Sequence, residues 1–499
     1  MMLSKVREEQ WTRLSELIAE RTGLHFPRER RNDLRRSLAG AARELGIEDA
    51  AACIEWLLSG PPTKAQLQVL ASHLTIGETY FFRDPQTMEA VAQHVLPELI
   101  RTRRGREQRL RIWSAACCTG EEPYSLAIVL HQLLPDLARW QVTITATDIN
   151  ARFLHKAAAG IYGEWSFRAT PSKLKTRYFN QTAKGRYAIV PEIKRLVTFE
   201  HLNLVEDVFP SLATDTNAMD LIFCRNALMY FTPPQMRKVV DRLHHALVEG
   251  GWLVVSPSEA SKAQFPEFLN VNFPGAILFQ KGGGRPRSEP ASAACVQVPP
   301  HVAPLLEESL PCAPTAALAT DQEPASPGEE PIRANPLAAG QSLHQEGRYA
   351  EAAEMLLSGA AGRPAEPEAF SLLARTLANQ GRLADALVWC ERWIAADKMN
   401  AAGHYLRAVV LLEQGDFPQG RASLQRALYL DHNFVLAHFA LGNLARSRGK
   451  TGEAHKHFAD ALHLLRHHRP DDLLPESDGL TAGRLTETIA FMTDSGNVP

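Results

Sequence analysis

Four apolar, β-rich runs punctuate the middle of the chain at residues 109–113, 141–148, 218–224 and 251–255, each separated from the next by helix-like sequence. Strands alternating with helices over this length predict a doubly wound α/β domain. Before it, Trp11, Leu14, Leu17, Ile18, Leu34, Leu38 and Leu45 recur at helical spacing, so residues up to about Ser72 are expected to be wholly helical. The helix before the fourth strand is expected to stop at Gly250-Gly251. Between Arg177 and Asn203 the alternation changes. Tyr187-Ala188-Ile189-Val190 and Leu196-Val197-Thr198-Phe199-Glu200 interleave apolar with polar residues, and Gly185 marks a turn. From Gly282 to Asn335 large apolar residues thin out in favour of Pro, Ala, Ser and Glu, which predicts a flexible linker. Beyond it Gly347, Gly381, Gly415 and Gly449 stand at a strict 34-residue spacing. Gly340, Ala374, Ala408 and Gly442 precede them by seven, and Ala352, Ala386, Gly420 and Ala454 follow by five.

The first strand runs into Ser114-Ala115-Ala116-Cys117-Cys118-Thr119-Gly120-Glu121-Glu122-Pro123-Tyr124-Ser125, which opens a helix at Leu126. Such a junction forms a ligand crevice at the carboxyl ends of a parallel sheet. A phosphate site would be glycine-rich and carry a Lys. This one has one Gly and two acids, and suits a cationic, hydroxyl-bearing ligand such as S-adenosylmethionine. The second strand closes on Asp148, where a carboxylate can accept two hydrogen bonds from ribose hydroxyls.

Net charge of −2 argues against a dedicated nucleic-acid binder. Seven Cys without paired spacing indicate a reducing compartment. The start of the chain is charged where a signal peptide would be apolar, and no stretch approaches a membrane span; a cytoplasmic protein is expected. No His, Cys and acid cluster has metal spacing, so no metal is expected. Arg28, Arg30, Arg31, Arg35 and Arg36 oppose only Glu29 and Asp33, giving a locally basic helix that is either a docking surface or a solvated face with internal ion pairs. A second basic run, Arg101 to Arg111, is expected to be a loop or solvated helix end.

Four segments resemble the chemotaxis receptor methyltransferases (CheR): Leu74 to Arg83, Ser114 to Ser125, Thr147-Asp148-Ile149, and Cys224-Arg225-Asn226-Ala227-Leu228-Met229-Tyr230-Phe231. The similarity runs from about residue 10 to about residue 280, and the 34-residue register resembles the tetratricopeptide pattern of paired helices. These resemblances imply a helical, receptor-docking domain (1–74) and a methyltransferase domain (75–281) with a small β insertion (177–202). A linker (282–334), four repeats (335–468) and a flexible tail (469–499) complete the expected layout. Carried over, the family's cofactor contacts fall on Thr79, Arg83, Glu122, Asp148, Asn203, Leu204, Arg225 and Asn226, and the pair beside the transferring methyl on Arg83 and Tyr230. The family often has Asn where this chain has Gly77, and Ser256-Pro257-Ser258-Glu259 keeps only Ser-Glu of a Gly-His-Ser-Glu segment.

What the resemblance implies is transfer of a methyl group from S-adenosylmethionine to glutamates on the cytoplasmic helices of membrane chemoreceptors, leaving S-adenosylhomocysteine. The basic helix would dock the receptor, and the repeats would bind a further protein partner. A monomer recruited to receptor arrays is expected, without membrane insertion. Ordinary readings stand beside these: a surface Arg83 paired with Asp84 or Glu78, and a packed Tyr230. A non-catalytic adaptor that binds the cofactor and signals through its repeats is the alternative function. The linker leads to one further expectation, that the repeats move independently of the catalytic domain.

Overall fold

The computed structural model describes residues 6–60, 62–282, 335–360 and 367–494. All of the expected linker except Gly282 lies outside them. Four helices come first: α1 (Glu8–Thr22), α2 (Arg31–Leu45), α3 (Ala50–Ser59) and α4 (Lys64–Leu74). Their ends follow local chemistry. Gly23 and Gly46 take left-handed φ of 78° and 70° after α1 and α2, while Asp49 and Thr63 accept backbone hydrogen bonds at the starts of α3 and α4. Leu14, Leu34, Leu38, Ile54 and Leu70 from all four form one core.

The central domain contains α5 (Pro85–Ala90), α6 (Leu96–Arg103), β1 (Arg109–Ala115), α7 (Glu121–Leu133), β2 (Gln141–Asp148) and α8 (Ala151–Ala159). It continues through β3 (Ile161–Tyr162), α9 (Ser172–Tyr178), β4 (Phe179–Gln181), β5 (Tyr187–Ile189), α10 (Pro191–Lys194) and β6 (Val197–His201). β7 (Met219–Cys224), α11 (Pro233–Ala246), β8 (Leu247–Val254), β9 (Phe268–Phe273) and β10 (Ala276–Lys281) complete it. The main sheet has the order β6-β2-β1-β7-β8-β10-β9. Five neighbouring strands are parallel, and β10 joins both its neighbours antiparallel. β1 and β7 are buried along their whole length, as strands covered on both faces must be. Strand order reverses between them, which opens a crevice at their carboxyl ends.

Several expectations need correction here. The small antiparallel sheet is β3-β5-β4, but Val197-Thr198-Phe199 is not part of it. Those residues form β6, paired in parallel with β2; alternation shows that one face is buried, not which sheet buries it. α11 ends at Ala246, and Gly250-Gly251 lies inside β8, with Gly250 at φ 77° beside a bulge in the β7 pairing. The basic run from Arg101 is the largely exposed end of α6 and a loop as far as Gln108, as expected, but its last two members, Arg109 and Arg111, are buried strand residues.

The repeats are four helix pairs: α12 (Pro336–Gln345) with α13 (Tyr349–Ala360), α14 (Pro367–Asn379) with α15 (Leu383–Ala396), α16 (Ala401–Glu413) with α17 (Phe417–Leu430), and α18 (Val435–Ser447) with α19 (Thr451–Leu465). The periodic glycines turn each pair, at φ between 70° and 83°, where a side chain would be strained. The small residues let the helices close: a Cβ on Gly442 would meet the Phe458 ring at 2.4 Å.

These repeats do not float free of the catalytic domain. Glu413, at the end of α16, is buried and sits 3.2 Å from Arg109 and 3.8 Å from Arg111. The Asn217 amide donates to the same carboxylate at 3.2 Å, and the Gln141 amide donates to the Leu412 carbonyl at 3.1 Å. The array therefore covers the amino-terminal ends of β1 and β2. The tail is not loose either. α20 (Ala482–Asp494) buries Leu485, Ile489 and Met492 with the repeats, while Phe491 joins the core of the sheet domain. Its Arg484 donates to the carbonyl of His201 and, at 2.7 Å, to His201 Nδ1. Burial and that guanidinium push the His201 pKa down to about 3, so the ring stays neutral and can accept. Ahead of α20, Glu476 and Asp478 both pair with the buried Arg375 of α14. Sequence composition gave no hint of these partners, because each lies a hundred or more positions away.

Candidate active site

Between β1 and α7 the chain makes a tight turn with positive φ at Ala116 (60°), Cys118 (52°) and Gly120 (90°). A Cβ on Gly120 would come within 2.8 Å of Ala157 and 3.1 Å of Phe199, so only glycine fits there. The turn brings the first residues of α7 beneath the end of β2. Asp148 accepts the Cys118 N–H and the Asn150 N–H, one on each oxygen, both at 2.8 Å. Glu122, in the first turn of α7 where the helix dipole favours an acid, accepts from Ser114 Oγ at 2.7 Å and from Arg225 at 3.2 Å.

Arg225 follows β7 and ties two parts of the site together. Besides Glu122 it pairs with Asp84 and donates to the Arg83 carbonyl at 3.1 Å. The segment around Arg83 is contorted, with positive φ at Phe82 (56°) and Asp84 (55°) on either side. Two contacts hold it. Phe81 is fully buried against Tyr162, Phe167 and Phe179 with ring centroids 4.8–5.1 Å apart, and the Phe82 N–H donates to Ser125 Oγ at 3.0 Å. Strain of this kind persists only where the surroundings over-determine it. Arg83 itself donates to the Glu78 carbonyl at 2.7 Å, not to a carboxylate. Asp84, one of its expected surface partners, is taken by Arg225.

One cleft joins these parts. Every residue nominated for cofactor or catalysis lines it: Thr79, Arg83, Glu122, Asp148, Asn203, Leu204, Arg225, Asn226 and Tyr230. The Asn203 amide, however, is already used. It donates to the Arg21 carbonyl at 2.7 Å and accepts from the Val205 N–H at 3.0 Å, so it holds a turn against α1. Of the basic run only Arg30 lines the cleft, its guanidinium 5.0 Å from the Phe26 ring and 5.3 Å from that of Tyr230. Arg28 and Arg31 pair with Glu8 and Arg36 pairs with Asp33, while Arg35 is exposed.

Glu259 was passed over by sequence reasoning. It is buried and accepts the N–H groups of Asn226 (2.8 Å), Met229 (3.0 Å) and Ser256 (3.0 Å) together with Ser256 Oγ (2.6 Å). That fixes the loop carrying Asn226 and Tyr230, with Asn226 at φ 56°. The retained Ser-Glu pair was the available signal. Gly77 also finds its reason: a Cβ there would meet the Phe153 ring at 2.6 Å, and Phe153 lines the cleft. A larger residue at 77 would need a smaller one at 153.

Burial dominates the electrostatics. It pushes the Asp148 carboxyl up to about 6 against the pull of its backbone donors, and raises Glu122 against Arg225 and Ser114. Burial, reinforced by Asp148, also raises the thiols of Cys117 and Cys118, which stay neutral.

Residues 77–274 match the family model "CheR methyltransferase, SAM binding domain". The chain is 34% identical over 248 residues to the "Probable chemotaxis protein methyltransferase" of Rhizobium etli, covering 49% of this chain and 90% of that one. The chain belongs to the CheR methyltransferase family. Its similarity to the "Probable biofilm formation methyltransferase WspC" of Pseudomonas aeruginosa extends further, at 30% identity over 389 residues, 77% of this chain and 83% of the relative. "Chemotaxis protein methyltransferase 1" of the same organism is 39% identical over 198 residues, 39% of this chain and 69% of that one. Tetratricopeptide repeat models match residues 343–410 and 405–469.

The cleft of this CheR-family chain fits S-adenosylmethionine on its own chemistry. Each Asp148 oxygen keeps a lone pair beyond its single backbone donor, as hydroxyl recognition requires. Two acids, the buried Asp148 and the partly buried Glu122, suit a cationic ligand, and the neutral thiols of Cys117 and Cys118 add to the wall. Among the described residues no helix is long and apolar enough to cross a membrane.

Proposed function

We propose that this protein transfers methyl groups from S-adenosylmethionine to glutamate side chains of bacterial chemoreceptors, tuning adaptation of a chemosensory pathway. The observation that carries this reading is the presence of Arg83 and Tyr230 in one cleft with Asp148 and Glu122. Asp148 binds the ribose hydroxyls. Glu122, held by Ser114 and Arg225, faces the positive part of the cofactor, and Thr79, Leu204, Arg225 and Asn226 complete its walls. Asn203 contributes through its backbone and position, since its amide is committed elsewhere.

Bound S-adenosylmethionine supplies a methyl already activated by the sulfonium charge. A glutamate is ionised at neutral pH, so the protein needs no general base. Its work is alignment and removal of water. The planar guanidinium of Arg83 clamps one carboxylate oxygen and leaves the other to attack, and the Tyr230 hydroxyl orients the same group. As the new oxygen–carbon bond forms and the carbon–sulfur bond breaks, the pair of charges is neutralised and no proton moves.

The exposed Arg35 and Arg28 of the N-terminal region meet the acidic receptor, and Arg30 lines the cleft itself. The names of the chemotaxis relatives support a receptor substrate, and the repeats suit a further protein partner. The site of action is the cytoplasmic face of receptor arrays, with the protein as a monomer. Methyl-labelled S-adenosylmethionine, incubated with the protein and membranes holding candidate receptors, tests this. Label must appear on the receptor and be released by base, as a carboxyl methyl ester is. Cofactor binding without any such label would favour the adaptor reading instead.

A further inference from the structure

The last helix pair gathers imidazoles that neither the fold nor the methyl-transfer chemistry uses. His438 projects from α18, and His457 and Asp460 lie one turn apart on α19. His438 Nδ1 is 3.5 Å from His457 Nδ1 and 3.7 Å from a carboxylate oxygen of Asp460, and one ligand atom from each residue falls within 4.8 Å of the others. Sequence spacing hid this group, because its members come from two helices and nineteen positions separate the two histidines.

We propose that His438, His457 and Asp460 bind a divalent transition cation of the imidazole-preferring class, with Zn2+ as its representative. Size is the first argument. With Zn–N and Zn–O bonds of roughly 2.0–2.1 Å, tetrahedral ligand atoms stand about 3.3 Å apart. The two separations from His438, 3.5 and 3.7 Å, need to close by a few tenths of an ångström, and the His457–Asp460 pair, within 4.8 Å, closes by rotation of partly exposed side chains on adjacent turns of α19. Tautomer is the second. His438 Nε2 is 3.3 Å from the His432 carbonyl, a contact that places the ring proton on Nε2 and leaves the Nδ1 lone pair facing His457. A backbone carbonyl orienting the far nitrogen of a ligating histidine is the usual support around a metal. Access is the third. His438 and Asp460 open onto a cavity also lined by His432, His463 and His467, so an ion has a route in and the fourth position stays open to water. Two imidazoles and one carboxylate suit zinc, nickel or copper, and not magnesium or calcium. A bound ion would clamp α18 to α19 at the end of the array.

Titrating ZnCl2 into chelator-treated, tag-free full-length protein by calorimetry tests this, with Co2+ absorption reporting coordination geometry. One equivalent should bind with micromolar affinity or better, and Co2+ should show four-coordinate ligand-field bands. His457→Gln should weaken Zn2+ binding at least tenfold. His457→Gln combined with Asp460→Asn should abolish it, with the helical circular dichroism retained. His468→Gln, in the same cavity but outside the triad, should leave binding unchanged. Equal affinity in the double variant, or an equal loss in His468→Gln, would overturn the assignment. So would absence of binding to the unaltered chain, which would leave the three side chains as a hydrogen-bonded group.

Discussion

Both ends of the central sheet hold buried charge, and the two ends use it differently. At the amino end, Arg109 and Arg111 share Glu413, Asp220 accepts the Arg111 N–H at 2.8 Å and pairs with Arg103, and Asn217 takes the other oxygen of Glu413. Acids and bases there face each other, with the helix array closing the end. At the carboxyl end, Asp148 accepts two backbone donors and still opens onto a cleft, beside Glu122 and the guanidinium of Arg83. Burial alone therefore does not mark a site. What marks it is buried charge whose hydrogen-bonding capacity remains unspent at a cavity.

The largest effect expected is at Glu413→Ala, which leaves two arginines buried without their acid. Removing one partner of a buried pair typically costs about 3–5 kcal/mol. Thermal or denaturant unfolding should show that loss, and a fragment ending near Lys281, which uncovers the same arginines, should be destabilised as well. A fragment as stable as the full chain would show that the array contributes nothing to the sheet domain.

Next in size is Arg83→Ala, for which turnover on receptor should fall by roughly a hundredfold, the scale of lost alignment. Cofactor should still bind, with affinity falling far less than turnover, and Arg83→Lys should fall between, since it keeps charge without the planar fork. Normal methylation by Arg83→Ala would remove the residue from the chemistry.

A pH series should follow Asp148. Its folded pKa, about 6, lies above the ordinary 3.8. The stability it contributes is thus fully present below about 3.8 and is lost as pH rises through about 6. Cofactor affinity should run the other way, rising as the carboxylate forms over the same interval. Asp148→Asn should flatten both trends. The smallest effect is expected at Arg35→Ala, a salt-sensitive rise in the Michaelis constant for receptor of a few-fold, because exposed charges are screened.

Much of the carboxyl end was legible in the chain. Asp148 and Glu122 stand at a strand end and a helix start, local positions that a sequence displays directly. The repeats announced themselves through glycines that need left-handed backbone. Other features were hidden because they depend on distant partners. Nothing in Arg109 or Arg111 names Glu413 some three hundred residues on, so a buried ion network read as a solvated basic run. The tail lacked a strong pattern because α20 buries its face partly on the repeats and partly on the sheet domain. Asn203 was nominated as a cofactor contact by resemblance, while the structure spends its side-chain amide on Arg21.

One paired measurement bears most directly on the claim that the two ends of the sheet do different work: S-adenosylhomocysteine affinity by calorimetry and thermal midpoint, each on Asp148→Asn and Glu413→Gln. Opposite outcomes are expected. Asp148→Asn should lose about 1.5–3 kcal/mol of binding, roughly ten- to a hundredfold. One backbone N–H loses its acceptor, but relief of the buried charge offsets that, so the midpoint at neutral pH should stay close to the parent's. Glu413→Gln should lower the midpoint and leave affinity within about twofold, well under 1 kcal/mol. If Asp148→Asn binds normally, or if both variants lose affinity and stability together, the division between a ligand end and a docking end is wrong.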